Sequence, residues 1–215
     1  MTLVLFDMDD TLLAGDAEAA WAKYMALHGI IKDVTFEEKI KRFDDDYRQG
    51  NLDFSVYSDF LLSPIKGMTV KEVQEIARPF CITIVNEFKD SKSQELLNRH
   101  SSDECLITSG TLSFIVKEVA ILLGIETSFG TDAEVKEGLY TGRVLGEPNF
   151  GEEKVRKIQE WLGDRNLSEI IAYSDSINDL PLLNFSSRAV VLNPDIKLRE
   201  IAISAGWEID DSRND

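Results

Sequence analysis

The chain has 215 residues, with 23 Lys and Arg against 39 Asp and Glu, and a formal net charge of −16. That length fits one large domain or a core with a modest insertion, and a 43% hydrophobic content excludes a disordered chain. The acidity argues against the basic face that nucleic acid or an anionic membrane surface requires.

Thr2–Phe6 is an apolar run that reads as a buried parallel strand, and it enters an acidic cluster at once. Asp16 to His28 has helical composition, with Asp16 as an N-cap and Gly29 as a stop. Thr35 to Arg48 opens on TFEE, the form of a capping box. Asp53 to Leu62 and Thr69 to Phe88 continue the helical pattern, with Pro79 expected to kink or break the last helix.

After Ser91 the texture alternates. Strands are expected at Glu104–Thr108, Ser128–Gly130, Glu169–Tyr173, Arg188–Leu192 and Trp207–Ile209, with a hairpin taking in Tyr140–Leu145. Helices are expected at Leu112–Leu123, Glu152–Leu162, Ile177–Leu183 and Ile196–Ala205. The tail, DDSRND, reads as polar and frayed. The pattern predicts an α/β fold: a Rossmann-like parallel sheet with helices on both faces, in which residues 1–15 and 89–215 form the core. Residues 16–88 form an inserted helical cap. The insertion follows the carboxyl end of a strand, where open α/β sheets place their ligands.

Cys81 and Cys105 lie in separate apolar runs with no CxxC or Cys/His cluster, so a thiolate metal site is not expected; two free thiols or a single bridge both fit. The start of the chain lacks a basic leader, and no run approaches the ~18 apolar residues of a membrane span. A cytoplasmic protein, monomer or homodimer, with no membrane or nucleic-acid partner is the expectation.

The chemistry gathers at strand ends. Asp7-Met8-Asp9-Asp10-Thr11 follows the first strand, and Ser174-Asp175-Ser176-Ile177-Asn178-Asp179 follows a later one. Two acidic clusters side by side repel unless a cation lies between them. Carboxylates without His or Cys suit Mg²⁺. Thr108, Ser109 and Gly110, read as the start of a helix, offer a hydroxyl and amides for a phosphate, and Lys154 offers compensating charge. Lys136 and Lys157 are nearby alternatives. Together these parts describe phosphoryl transfer to an aspartate.

In order, these residues resemble the four motifs of the haloacid dehalogenase superfamily: D-x-D-x-T, a strand-end Ser/Thr, a Lys, and D-x-x-x-N-D. The helical insertion resembles the cap of the phosphoserine-phosphatase-like subgroup. The run from Ser174 to Ile209 resembles subfamily IB, some members of which are histidinol-phosphatases. The resemblance implies Asp7 as nucleophile and Mg²⁺ ligand, and Asp9 as general acid and base whose carbonyl also ligates the metal. It implies Thr108, Ser109, Gly110, Lys154 and Asn178 on the phosphate, Asp175 on Mg²⁺, and Asp179 supporting the metal or Lys154.

Phosphoserine phosphatases place a Glu shortly after the first motif and an Arg in the cap. Here Asp16 stands near the Glu position, and Arg48-Gln49-Gly50-Asn51-Leu52 does not reproduce the Arg motif. A small phosphorylated metabolite is therefore expected, with an amino-alcohol phosphate such as histidinol phosphate fitting better than phosphoserine. A phosphotransferase or phosphomutase using the same aspartyl-phosphate is the alternative, and a non-catalytic binding protein is a third reading. Trp21, Tyr24 and Met25 read as cap core, His28 and His100 as structural, and Asp44, Asp45 and Asp46 as a solvated helix face.

Overall fold

The computed structural model describes residues 1–31, 33, 35–49 and 51–213; the side chains at 37, 44 and 47–49 also lie outside the description. Strand β1 (Thr2–Phe6) stands alone before four helices, α1 (Ala17–Leu27), α2 (Phe36–Gln49), α3 (Phe54–Leu62) and α4 (Val70–Phe88). The chain then runs through α5 (Ser91–Arg99), β2 (Glu104–Leu112), α6 (Ser113–Leu123), β3 (Thr127–Thr131), β4 (Ala133–Lys136) and β5 (Leu139–Val144). It ends with α7 (Glu152–Leu162), β6 (Glu169–Ser174), α8 (Leu180–Phe185), β7 (Arg188–Leu192), α9 (Ile196–Ala205) and β8 (Glu208–Asp210).

The main sheet has six parallel strands in the order β3-β2-β1-β6-β7-β8, so β1 lies between β2 and β6. Period-two alternation splits β1 between two apolar layers. Leu3 and Leu5 pack with Ile158 of α7, Leu182 of α8 and Leu198 of α9. Val4 and Phe6 face the opposite layer with Leu96 of α5 and Ile115 of α6. The same cluster runs without a break into the insertion through Trp21, Met25 and Phe80, with Tyr24 packed against it, so Trp21, Tyr24 and Met25 belong to the core as expected. Trp21 packs edge-on to both Phe80 and Phe114. His100 is buried and structural: its Nε2 lies 2.8 Å from the Tyr173 hydroxyl and its Nδ1 2.8 Å from Asp103. His28 Nδ1 lies 2.9 Å from the Tyr24 carbonyl. Both cysteines are free thiols.

Several local expectations change. Helix α4 continues through Pro79, because the buried face formed by Val73, Ala77, Phe80, Cys81 and Ile84 holds it where one backbone hydrogen bond is lost. Thr35 donates its amide and hydroxyl to Asp33, and a reciprocal capping box forms at Thr69 and Glu72. The hairpin β4–β5 does not join the main sheet. It docks on the insertion, with Tyr140 exchanging backbone bonds with Gly67 and Met68, and with the Val144 amide 2.7 Å from Asp59. The tail is not frayed through Arg213, which makes several bonds described below; Asn214 and Asp215 lie outside the described residues.

Candidate active site

β1 ends at Phe6, and its neighbours β2 and β6 carry their own ends to the same edge of the sheet. Beyond β1 the chain turns tightly: Asp9 is extended, with φ −73° and ψ 137°, and Asp10 is left-handed, with φ 51°. A non-glycine residue with positive φ is uncommon and persists only where its surroundings impose it. The turn aims Asp7 and Asp9 into one cavity of about 400 Å³, which Asp175, Asn178, Asp179 and Lys154 also line.

Lys154, in the first turn of α7, donates to Asp7 Oδ1 and to Asp179 Oδ2, each at 2.8 Å. All three side chains are nearly out of solvent. Burial works against the ammonium, but Asp179 and Asp7 outweigh it and raise its pKa. Burial pushes Asp7 up to about 6, against the pull of Lys154. Neither alternative lysine enters the site: Lys157 bonds Gly130 and Asp132, and Lys136 pairs with Glu134.

Asp9 is held by three donors: the Ala17 amide at 2.7 Å, the Thr111 hydroxyl at 2.7 Å and the Ser109 hydroxyl at 3.0 Å. Burial, then the charges of Asp16 and Asp7, push it up to about 7, which suits proton exchange near neutral pH. Asp175 accepts from Thr11 at 2.8 Å. Burial, then the charge of Asp7, raise its pKa well above the ordinary value.

The phosphate cradle needs correction. β2 does not stop at Thr108 but runs irregularly to Leu112, and α6 begins at Ser113, so Ser109 and Gly110 are not in a helical first turn. Thr108 is wholly buried, does not border the cavity, and its hydroxyl accepts from Asn149 at 3.1 Å. The register shifts after Thr108, and Ser109, Gly110 and Thr111 border the cavity instead. The Asp179 carboxylate accepts from Lys154 and from Ser174, each at 2.8 Å.

The donor set accords with a hard divalent cation. Asp7 and Asp175 are buried carboxylates that repel each other, with no His or Cys beside them. Among the described residues, no three His, Cys, Asp or Glu side chains form a metal shell by themselves. Mg²⁺ accommodates this, since it binds through one or two carboxylates and completes its shell with water and substrate oxygens.

The opposite wall comes from the insertion. Ile40, Phe43, Leu52, Phe54 and Tyr57 line it, and Phe54 stacks on Phe150 at 3.3 Å between centroids. Asp16 borders the cavity while its Oδ1 caps α1 through the Ala19 amide at 2.9 Å. Glu18, which the motif reading missed, lines the same cavity, and its buried Oε1 has no hydrogen-bond partner. Burial, then Asp16 and Asp9, raise its pKa well above the ordinary value, while Tyr57 and the Leu112 amide act in the other direction. Lys41 also borders this wall. Asp45 and Asp46 are exposed on α2, as expected of a solvated face. The side chains of Asp44, Arg48 and Gln49, and Gly50 itself, lie outside the described residues.

Residues 4–184 match the model of the haloacid dehalogenase-like hydrolase family. A histidinol-phosphatase of Neisseria meningitidis is 33% identical over 215 residues, covering 96% of this chain and 97% of that one. A phosphoserine phosphatase of Mycobacterium tuberculosis is 30% identical, over 97% of this chain and 70% of that one. A protein of unknown function from Bordetella pertussis superposes with a TM-score of 0.88 at 31% identity, over 98% of each chain. A phosphoserine phosphatase solved as a phospho-aspartyl intermediate analogue shares the fold, with a TM-score of 0.65 at 21% identity over 97% of this chain and 91% of that one. No described helix is long and apolar enough to cross a membrane. The strand-end carboxylates, the buried lysine and these likenesses converge: the chain belongs to the haloacid dehalogenase-like hydrolase family, among its phosphatases.

Proposed function

We propose that this phosphatase hydrolyses a small-molecule phosphate monoester through a phosphoryl group carried on Asp7, with Mg²⁺ as cofactor. The observation that carries the reading is the pairing of Asp7, fixed by Lys154, with Asp9, whose pKa of about 7 fits a proton carrier on the same cavity. Asp7 attacks phosphorus as the bond to the alcohol oxygen breaks, and Asp9 gives that oxygen its proton. Asp9 then takes a proton from water as the water oxygen attacks phosphorus, which frees Asp7 and releases inorganic phosphate. Lys154 holds Asp7 in line and offsets the charge of the phosphoryl oxygens. Asp179, through Ser174 and Lys154, keeps that ammonium in place. Ser109, Gly110 and Asn178 line the cavity where the phosphate would lie. Asp7, Asp175 and the Asp9 carbonyl would hold Mg²⁺, which when bound offsets the negative charge of carboxylates and phosphate together.

Residues 16–88 act as a cap over the core formed by 1–15 and 89–215, and the hairpin β4–β5 rides with that cap. The cap selects the alcohol. Its wall sets acidic Asp16 and Glu18 against aromatic Phe43, Phe54 and Tyr57, a lining suited to a cationic leaving group with an apolar or aromatic body. An amino-alcohol phosphate such as histidinol phosphate meets both requirements. Phosphoserine is the second reading, favoured by Lys41 as a partner for a substrate carboxylate. A panel of phosphate esters with Mg²⁺ tests both. Faster turnover of histidinol phosphate supports the first, and faster turnover of phosphoserine, lost in Lys41→Ala, replaces it with the second. Transfer of phosphate to an acceptor alcohol, without free phosphate, assigns a phosphotransferase instead.

A further inference from the structure

The turn that carries Asp7, Asp9 and Thr11 is held from outside by the far end of the chain. β8 lies three strands from β1 in the sheet, about 14 Å at ordinary strand spacing. Two ion pairs keep the end of the chain close to the fold: Lys92 binds Asp210 at 2.8 Å, and Arg199 binds Asp211. From there Arg213 turns back, with its own amide 3.4 Å from Asn193 Oδ1. Its guanidinium Nη1 donates to the carbonyls of Asp10 at 3.0 Å and Thr11 at 2.6 Å. Its Nε donates to Asp90 Oδ2 at 2.7 Å, and its Nη2 to Asp90 Oδ1 and Ser93 Oγ, each at 3.2 Å. The side chain is 11% exposed, so these bonds are largely shielded from water.

The two acceptor groups sit on either side of a junction. Asp10 and Thr11 belong to the turn leaving β1, and Asp90 caps α5 just after the insertion ends. At that junction the two passages between insertion and core run side by side. The Ala14 amide donates to the Phe88 carbonyl at 2.8 Å, and a Cβ on Gly15 would meet the Phe88 ring at 2.9 Å. A planar guanidinium has enough fixed donors to bridge such a pair of passages, whereas an ammonium cannot spread its donors in the same fork.

We propose that Arg213 is a positioning residue for catalysis: it clasps the left-handed turn at Asp10 to the α5 cap at Asp90, and so fixes the aim of Asp9 into the site and of Thr11 at Asp175. Thr11 holds Asp175 through its hydroxyl, so a loosened turn disturbs the carboxylate geometry without touching the substrate. The kinetic part of this inference rests on the phosphatase reading above; the structural part does not.

Two readouts separate them. Hydrogen exchange in Arg213→Ala is measured at the Asp10 and Leu13 amides, which bond the Gly15 and Met8 carbonyls within the turn. The clasp predicts exchange about 10-fold faster there, with the melting temperature changed by only a few degrees. Kinetics on p-nitrophenyl phosphate with Mg²⁺ then show kcat reduced about 10–100-fold and KM changed less than about 3-fold, as a misaimed catalytic group produces. Arg213→Lys falls between wild type and Arg213→Ala, and guanidinium at tens of millimolar restores part of the lost kcat to Arg213→Ala. Unchanged exchange at both amides overturns the clasp, even if the wild type hydrolyses no ester. Faster exchange with wild-type kcat overturns the catalytic role and leaves a structural one. A wild type inactive on every ester removes the phosphatase reading, while the exchange result still decides the clasp.

Discussion

The two walls of the cavity are built on opposite principles. On the core wall, the acceptors are matched by donors: Asp7 by Lys154, Asp9 by Ala17, Ser109 and Thr111, Asp175 by Thr11, and Asp179 by Lys154 and Ser174. On the cap wall, aromatic faces meet a carboxyl whose buried Oε1 is unpaired. Hydrogen-bonded carboxylates are held in one orientation, which suits a reaction that demands one geometry. A buried carboxyl oxygen without a donor carries a penalty until something supplies one, which suits a surface that selects what it holds. The contrast assigns reaction to the core and choice of alcohol to the cap.

The largest break in that contrast comes from the core. Asp7→Asn is expected to reduce kcat about 10³-fold or more on every ester, whatever its alcohol, since a neutral amide replaces the nucleophilic carboxylate. Activity assays across the ester panel check it. Lys154→Met is expected to follow, with kcat down about 10²-fold on all esters. It also lowers the melting temperature, because removing one partner of a buried ion pair costs about 3–5 kcal/mol. Thermal unfolding beside kinetics checks both parts.

On the cap wall, Glu18→Gln changes preference instead. The ratio of kcat/KM for histidinol phosphate over its analogue lacking the amine is expected to fall about 10-fold, worth about 1.4 kcal/mol of discrimination. An unchanged ratio takes Glu18 out of substrate selection.

The smallest effect is on stability. Asp7 and Asp9 have folded pKa values of about 6 and about 7, above their ordinary value of 3.8. Groups raised in this way hold their protons more tightly folded than unfolded, so the stability they give is present below that ordinary value and lost as pH rises through the folded values. Metal-free protein is therefore expected to melt at progressively lower temperature between about pH 4 and pH 7. Added Mg²⁺ should restore the melting temperature most at the upper end of that window, where both carboxylates are ionised. Melting curves with chelator and with Mg²⁺ across that range check it.

Much of the core wall was legible in the sequence because it is local. Asp7 and Asp9, like Asp175 and Asp179, directly follow apolar strands, and Gly151 opens the helix that carries Lys154. The error at Thr108 is a single step along β2, which the alternation turns into the opposite face; nothing in LITSG marks the strand as running on to Leu112. Asn149 holds the Thr108 hydroxyl from 41 residues away, and Arg213 grips the first turn from more than 200. Such contacts follow from tertiary packing and leave no periodic trace. Glu18 sits two residues beyond Asp16, but its unpaired oxygen is a property of the cavity, not of the string.

The central claim is that the core wall forms a covalent phosphoryl intermediate on Asp7. Acid-quenched single-turnover reactions with Mg²⁺, digested and read by mass spectrometry, test it most directly. A phosphoryl increment on the peptide containing Asp7 in wild type, and none in Asp7→Asn, is the predicted result. Turnover with no phosphorylated peptide at any quench time, or the increment on another residue, would contradict the claim.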